Sequence, residues 1–231
     1  MNGSRTLCTL RRAATAGAAC LVLAQCGAAP PPGTAPVAAP PPGGQAGIEP
    51  VVEAVTAADL GATWRPGCPV GPEQLRRVTL THLGFDDLPH RGELIVHQEL
   101  VAQVIAVFER LYRLDFPIEK MRPAAAYRGG DDELSMEDNN TSAFNCRRIP
   151  GSGNWALHAY GRAIDVNPLL NPSVDGDGFE PHNAATYLNR ASSAPGLLHA
   201  GDDAVRAFTD AGWTWGGNWR SPVDYQHFEQ R

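Results

Sequence analysis

Positive charge is scarce in this 231-residue chain: 19 Lys and Arg stand against 25 Asp and Glu, a formal net charge of −6. Without residues 1–26, which hold three arginines and no acid, the balance falls to −9. Nucleic-acid binders neutralise phosphates with clustered Lys and Arg, so the composition argues for no nucleic-acid partner. Cysteine is also scarce. The five present form no CxxC pair, which weighs against a cysteine-built structural zinc site. The apolar run at 13–24 is too short to cross a bilayer as a helix. No internal repeat of useful length is present, so nothing points to a solenoid. What remains is 43% hydrophobic and 19% charged residues, an ordinary globular balance, in a chain long enough for one domain with a sizeable core.

Residues 1–26 read as an export signal. Arg5, Arg11 and Arg12 form a positive start, and the apolar run follows. The run ends Leu23-Ala24-Gln25-Cys26, similar to a bacterial lipobox in which the cysteine is lipidated and anchors the protein to the membrane. Gln25 stands where that pattern wants a small residue. Anchoring through Cys26 and simple secretion both stay open, and the expected location is the cell envelope or beyond. Residues 27–60 read as a tether, because the Pro/Ala/Gly-rich stretch with Pro30-Pro31-Pro32 and Pro40-Pro41-Pro42 cannot bury a core. The folded domain is assigned to 61–231, with its start expected between Ile48 and Trp64, and is expected to be a monomer. In an oxidising compartment Cys68 and Cys146 read first as a disulfide, with two separate buried thiols as the alternative.

Within the domain, residues 78–83 and 93–97 read as strands. Residues 98–112 carry Val101, Val104, Ile105, Phe108 and Leu111 at helical spacing. Residues 118–121 look extended, 129–140 polar and irregular, 142–149 a strand, and 162–167 a short strand stopped by Pro168. Asp202 is placed to cap a helix over 204–211, with Gly212 to end it. Residues 213–215 and 225–228 read as closing strands. The sum is an α+β domain, with helices packed on a mostly antiparallel sheet.

The chemistry concentrates in His158-Ala-Tyr-Gly-Arg-Ala-Ile-Asp165 and Asp224-Tyr-Gln-His227. Two imidazoles and a carboxylate offer three N/O ligands to one Zn2+ with a fourth position open, the catalytic pattern rather than the structural one. Asp224 is then a spare carboxylate able to take a proton from water. Seven residues of straight strand would separate His158 from Asp165 by more than about 20 Å. The chain must therefore fold back between them, and Gly161 supplies the turn. His227 comes from the last strand, and Asp224 is expected in the turn before it. On spacing alone, surface residues or satisfied core histidines are the competing explanation.

Three stretches carry a resemblance: Arg162-Ala-Ile-Asp165-Val-Asn-Pro168, Asn139-Asn-Thr-Ser-Ala-Phe-Asn145 and Asp224-Tyr-Gln-His227-Phe-Glu229. They closely resemble the bacterial zinc D-alanyl-D-alanine carboxypeptidase family, which also contains vancomycin-resistance D,D-peptidases and phage L-alanyl-D-glutamate endolysins. The resemblance covers residues 64–231 and implies the D-Ala-D-Ala metallopeptidase (hedgehog-like) fold. It implies zinc on His158, Asp165 and His227, Asp224 as catalytic base, and the peptidoglycan stem peptide as substrate. It also implies an arginine upstream of the first ligand that binds substrate and its developing oxyanion. Arg147 is the first candidate and Arg128 the second. The family usually has a serine two residues before the first histidine ligand, where this chain has Ala156. That departure leaves room for a non-catalytic wall-binding lipoprotein on the same scaffold.

Other features read more plainly. Glu229 is taken as a surface carboxylate, with a role in orienting a ligand as the alternative. Residues 175–180 only faintly echo a calcium loop and read as an exposed turn. Trp213, Trp215 and Trp219 serve either a substrate cleft or the core.

Overall fold

The computed structural model describes residues 49–176 and 178–231. The proposed leader, Cys26 and most of the proposed tether lie outside those residues. In chain order the regular elements are β1 (Val51–Ala54), α1 (Ala57–Leu60), β2 (Leu75–Leu83), β3 (Pro89–His97), α2 (Val101–Arg113), β4 (Lys120–Met121), α3 (Asp132–Glu137), β5 (Asn140–Thr141), β6 (Ala163–Asp165), β7 (Ser173–Asp175), β8 (Gly178–Glu180), α4 (Asp203–Thr209), β9 (Thr214–Trp215), β10 (Val223–Asp224) and β11 (His227–Glu229). The result is mixed α and β, as expected, but the sheet is divided. Three antiparallel sheets run β1-β2-β3, β10-β7-β8 and β6-β11-β9, and β4 and β5 form a parallel pair. Among the described residues no helix is long and apolar enough to cross a membrane.

Burial explains the layering. Val104, Val107, Phe108 and Leu111 recur at the spacing of one helical face and bury that face of α2 in the main core. Val78 and Leu80 of β2, Leu94 and Val96 of β3, and Ala204, Val205, Ala207 and Phe208 of α4 belong to the same core. Phe208 and Phe228 stack at 3.9 Å between ring centroids, with Phe108 and Trp213 edge-on to Phe208. A second apolar cluster joins Val55, Leu60, Val70, Leu75, Ile95, Phe144 and Cys146. Cys68 packs against it and is joined to Cys146 by a disulfide, with Cα atoms 6.0 Å apart.

Three sequence expectations are corrected here. The assigned boundary at 61 moves back to Val51, within the window expected for the domain's start, because β1 pairs with β2 from Val51↔Thr79 to Ala54↔Arg76 and the Thr56 and Asp59 side chains cap α1. The supposedly irregular stretch 129–140 contains α3, started by the Asp131 carboxylate accepting from Leu134 N–H. The strand expected over 142–149 does not form as such. Its amides instead go to separate segments: Ser142 pairs with Asp165, Phe144 N–H donates to Ile95, Asn145 N–H to His158 and Cys146 N–H to Thr63.

Candidate active site

The cleft is built on β6 and β11. They pair antiparallel so that His227 lies directly opposite Asp165, and such cross-strand neighbours have Cβ atoms about 4.5–5.5 Å apart. Side chains alternate along a strand. Phe228 therefore points into the main core, while His227 and Glu229 face the cleft. His158 arrives from a short 3-10 turn, Leu157–Tyr160, which Gly161 ends in the left-handed region at φ 67°. A Cβ at Gly161 would also sit 2.7 Å from His97 N, so glycine is needed for both conformation and space.

The three predicted ligands meet. His158 Nε2 lies 3.1 Å from Asp165 Oδ2 and 3.2 Å from His227 Nδ1, and His227 Nδ1 lies 3.0 Å from Asp165 Oδ1. Ligands at about 2.0–2.1 Å from a tetrahedral ion would sit about 3.3 Å apart, so the spacing suits a single small cation. The remaining ring nitrogens are held from behind. His158 Nδ1 bonds the Ala143 carbonyl at 2.6 Å, and His227 Nε2 faces Glu229 Oε2 at 3.4 Å. Each outer contact leaves the other nitrogen free to coordinate, His158 through Nε2 and His227 through Nδ1. Among the described residues a second group, half-buried Glu133 and Glu137 one turn apart on α3 with exposed His182, also brings ligand atoms together.

Electrostatics bind the trio tightly. Burial opposes charge on the Asp165 carboxyl, yet His158 and His227 hold it far below the usual carboxylate range. Burial opposes charge on His227 as well, and Asp165 and Glu229 outweigh it, pushing the imidazole up to about 10. Burial drives the Asp224 carboxyl the other way, up to about 6, with Asp165 adding to the rise.

Asp224 is not in a turn, as the sequence suggested. It ends β10, opposite Ser173 of β7, and the chain changes sheet before β11 begins. Gly216 lets it approach, since a Cβ there would meet Asp224 O at 2.7 Å. Asp224 Oδ1 is buried with no hydrogen-bond partner among the described residues.

The cleft has a volume of about 770 Å³ and is lined by the trio, Asp224, Gln226, Glu229, Trp219 and the β7–β8 hairpin. Arg147 lines it too, with Nε 2.8 Å from Asp132 Oδ2. Burial opposes its charge, and Asp132, Asp165 and Asp224 more than offset that. Arg128 is exposed and is not among the lining residues, because it sits in the 3-10 turn Arg128–Gly130 ahead of α3. Glu229 is buried, at 7% exposure, and is no surface carboxylate. Its pKa is lowered by its bond to His227, and Arg231 Nε holds its other oxygen at 3.0 Å. The period-2 spacing from His227 was the available signal for it. Trp213 and Trp215 belong to the core, whereas Trp219 stands beside His227 with ring centroids 5.2 Å apart. Asp175 ends β7 and Gly178–Glu180 form β8 on the cleft wall, and Ala156 is a buried part of the lining.

This arrangement can hold one metal ion between two imidazoles and a carboxylate, with a fourth, proton-accepting group alongside. Residues 150–230 match the family model described as D-alanyl-D-alanine carboxypeptidase. The matched span carries His158, Asp165, Asp224 and His227, while Arg147 falls just before it. No curated protein and no solved structure matches the chain.

Proposed function

We propose that the protein is a zinc-dependent peptidase of peptidoglycan stem peptides that cuts the D-Ala–D-Ala bond. The observation that carries this reading is the meeting of His158, Asp165 and His227 in one cleft with Asp224, whose buried Oδ1 has no hydrogen-bond partner among the described residues. Two nitrogens and one oxygen are a donor set suited to catalytic zinc. Zinc bound there supplies Lewis acidity, polarising a carbonyl and bringing the pKa of water toward about 7.

The protein's own groups do the rest. Asp224 takes a proton from the attacking water as its oxygen joins the scissile carbonyl carbon. As the C–N bond breaks, Asp224 returns that proton to the leaving amine. Arg147, aimed by Asp132, stabilises the negative charge that develops on the carbonyl oxygen. The Cys68–Cys146 disulfide supports action outside the cytoplasm. Export through the leader, with or without anchoring at Cys26, belongs to the same proposal.

The test is incubation of the purified chain with muropeptides, with and without chelator, followed by mass spectrometry. Release of D-Ala that chelator stops and zinc restores is the expected result. Cleavage between L-Ala and D-Glu would move the assigned bond, and binding without any cleavage would favour a wall-binding scaffold. A further expectation concerns Glu229. Glu229→Gln removes the charge behind His227 and should weaken zinc binding about 10–100-fold, read by competition with a chromophoric chelator, with thermal unfolding little changed.

A further inference from the structure

Asp224 and His227 belong to different sheets, and Tyr225 and Gln226 alone join β10 to β11. The reach of the Asp224 carboxylate toward the metal ligands is therefore set at this joint. Tyr225 is held there from three sides. Its N–H donates to the Pro172 carbonyl at 3.4 Å, its carbonyl accepts from Trp215 Nε1 at 2.9 Å, and its ring centroid lies 4.4 Å from the Arg190 guanidinium carbon. Asp224 and His227 line the cleft but Tyr225 does not, so its ring serves no substrate directly. Arg190 is a costly group to keep in that place. Burial pushes its pKa down. Its four hydrogen bonds go to the Leu170, Tyr187 and Leu198 carbonyls and to Asn171 Oδ1, none to a carboxylate. A desolvated guanidinium is drawn to an aromatic face, and its planar fork fixes direction as well as distance. Asn171 Nδ2 in turn donates to the Val166 carbonyl at 3.2 Å, one residue beyond Asp165. Arg190 thus bridges the two stretches that carry Asp165 and Asp224.

We propose that Arg190 is a positioning residue: through the Tyr225 ring it fixes where the Asp224 carboxylate stands relative to His158, Asp165 and His227. The metal ligands do not depend on it, since β6 and β11 pair directly and are anchored in the main core through Ile164 and Phe228. The proton acceptor does depend on it. β10 pairs with β7 alone, at Val223↔Val174 and Asp224↔Ser173, and has no pairing with β11. A shift of about 1 Å in a reacting group can cost about 10²-fold in rate. This assignment rests on the peptidase reading above and deepens it, adding a residue that acts on the reaction without touching substrate.

Arg190→Met removes the charge and the fork. At a temperature where melting shows the variant folded, kcat on the stem peptide should fall about 10–100-fold, with KM and zinc affinity unchanged. Tyr225→Leu should lose a similar factor, and the double variant no more than either single one, as an effect passed through one contact requires. Tyr225→Phe keeps the aromatic face and should recover most of the loss. The comparison of Tyr225→Leu with Tyr225→Phe leaves the hydrogen bonds of Arg190 in place, so it decides the matter even where Arg190→Met does not fold. The assignment is overturned if folded Arg190→Met keeps the wild-type kcat, if weaker zinc binding or a raised KM accounts for the loss, if the two single losses multiply in the double variant, or if Tyr225→Phe is as slow as Tyr225→Leu. A zinc-loaded wild type that cleaves no stem peptide would instead overturn the peptidase reading, and this assignment with it.

Discussion

Asp224→Asn is expected to lower turnover of the stem peptide by about 10²–10⁴-fold while zinc stays bound. The two halves of that result have separate physical sources. On the proposed reading, metal affinity would come from His158 Nε2, Asp165 and His227 Nδ1, which approach one another within 3.0–3.2 Å without help from Asp224. Proton transfer would fall to Asp224, whose carboxyl is raised to about 6 by burial. A group of that basicity is ionised at neutral pH and can still give its proton back, as a general base that later acts as an acid must. The amide has the same shape and cannot accept that proton. It is also cheaper to bury than a carboxylate, so thermal unfolding should not move downward. Metal analysis, melting and D-Ala release on one preparation check all three statements. Retained turnover would show that another group is the base. Lost zinc would show that Asp224 is a ligand.

How much of this the sequence disclosed varies by residue. The meeting of Asp165 with His227 was legible because both sit on short strand-like stretches, and an antiparallel register brings them face to face. The fold-back at Gly161 was legible because a seven-residue gap otherwise separates the ligands too far. Asp224 was found by type but misplaced in structure. A three-residue spacing cannot be kept on one face of one strand, and the chain resolves this by giving β10 and β11 to different sheets, which no periodicity reports. Glu229 was undervalued because burial is decided by what packs over it. Arg147 was ranked ahead of Arg128 in sequence; the ion pair from Asp132 in α3 supports that order, and α3 itself hid in a polar stretch with no apolar periodicity. The expected strand over 142–149 failed because its apolar residues serve two different cores, Ala143 in one and Phe144 with Cys146 in the other.

Reducing the Cys68–Cys146 disulfide should lower unfolding stability by about 4–5 kcal/mol. The bridge joins residues 78 apart, and closing a loop of that size in the unfolded chain removes entropy of this order. Ordinary domains have only about 5–15 kcal/mol in total, so the loss is a large share of what the fold has. The bridge also has a particular place to act. The second apolar cluster is small, built from Val55, Leu60, Val70, Leu75, Ile95 and Phe144 around Cys146, and Arg65 Nη1 ties the same point by bonding the Cys146 carbonyl at 3.0 Å. β6 and β11, in contrast, are anchored in the main core through Ile164 and Phe228. The metal site should therefore survive reduction in the absence of denaturant, while Arg147, one residue beyond Cys146, loses its nearest covalent support. Denaturant titrations with and without reductant, and of the double variant Cys68→Ser/Cys146→Ser, should show the midpoint falling. Zinc content should stay constant below that midpoint. An unchanged midpoint would mean that the main core alone sets the stability of the domain.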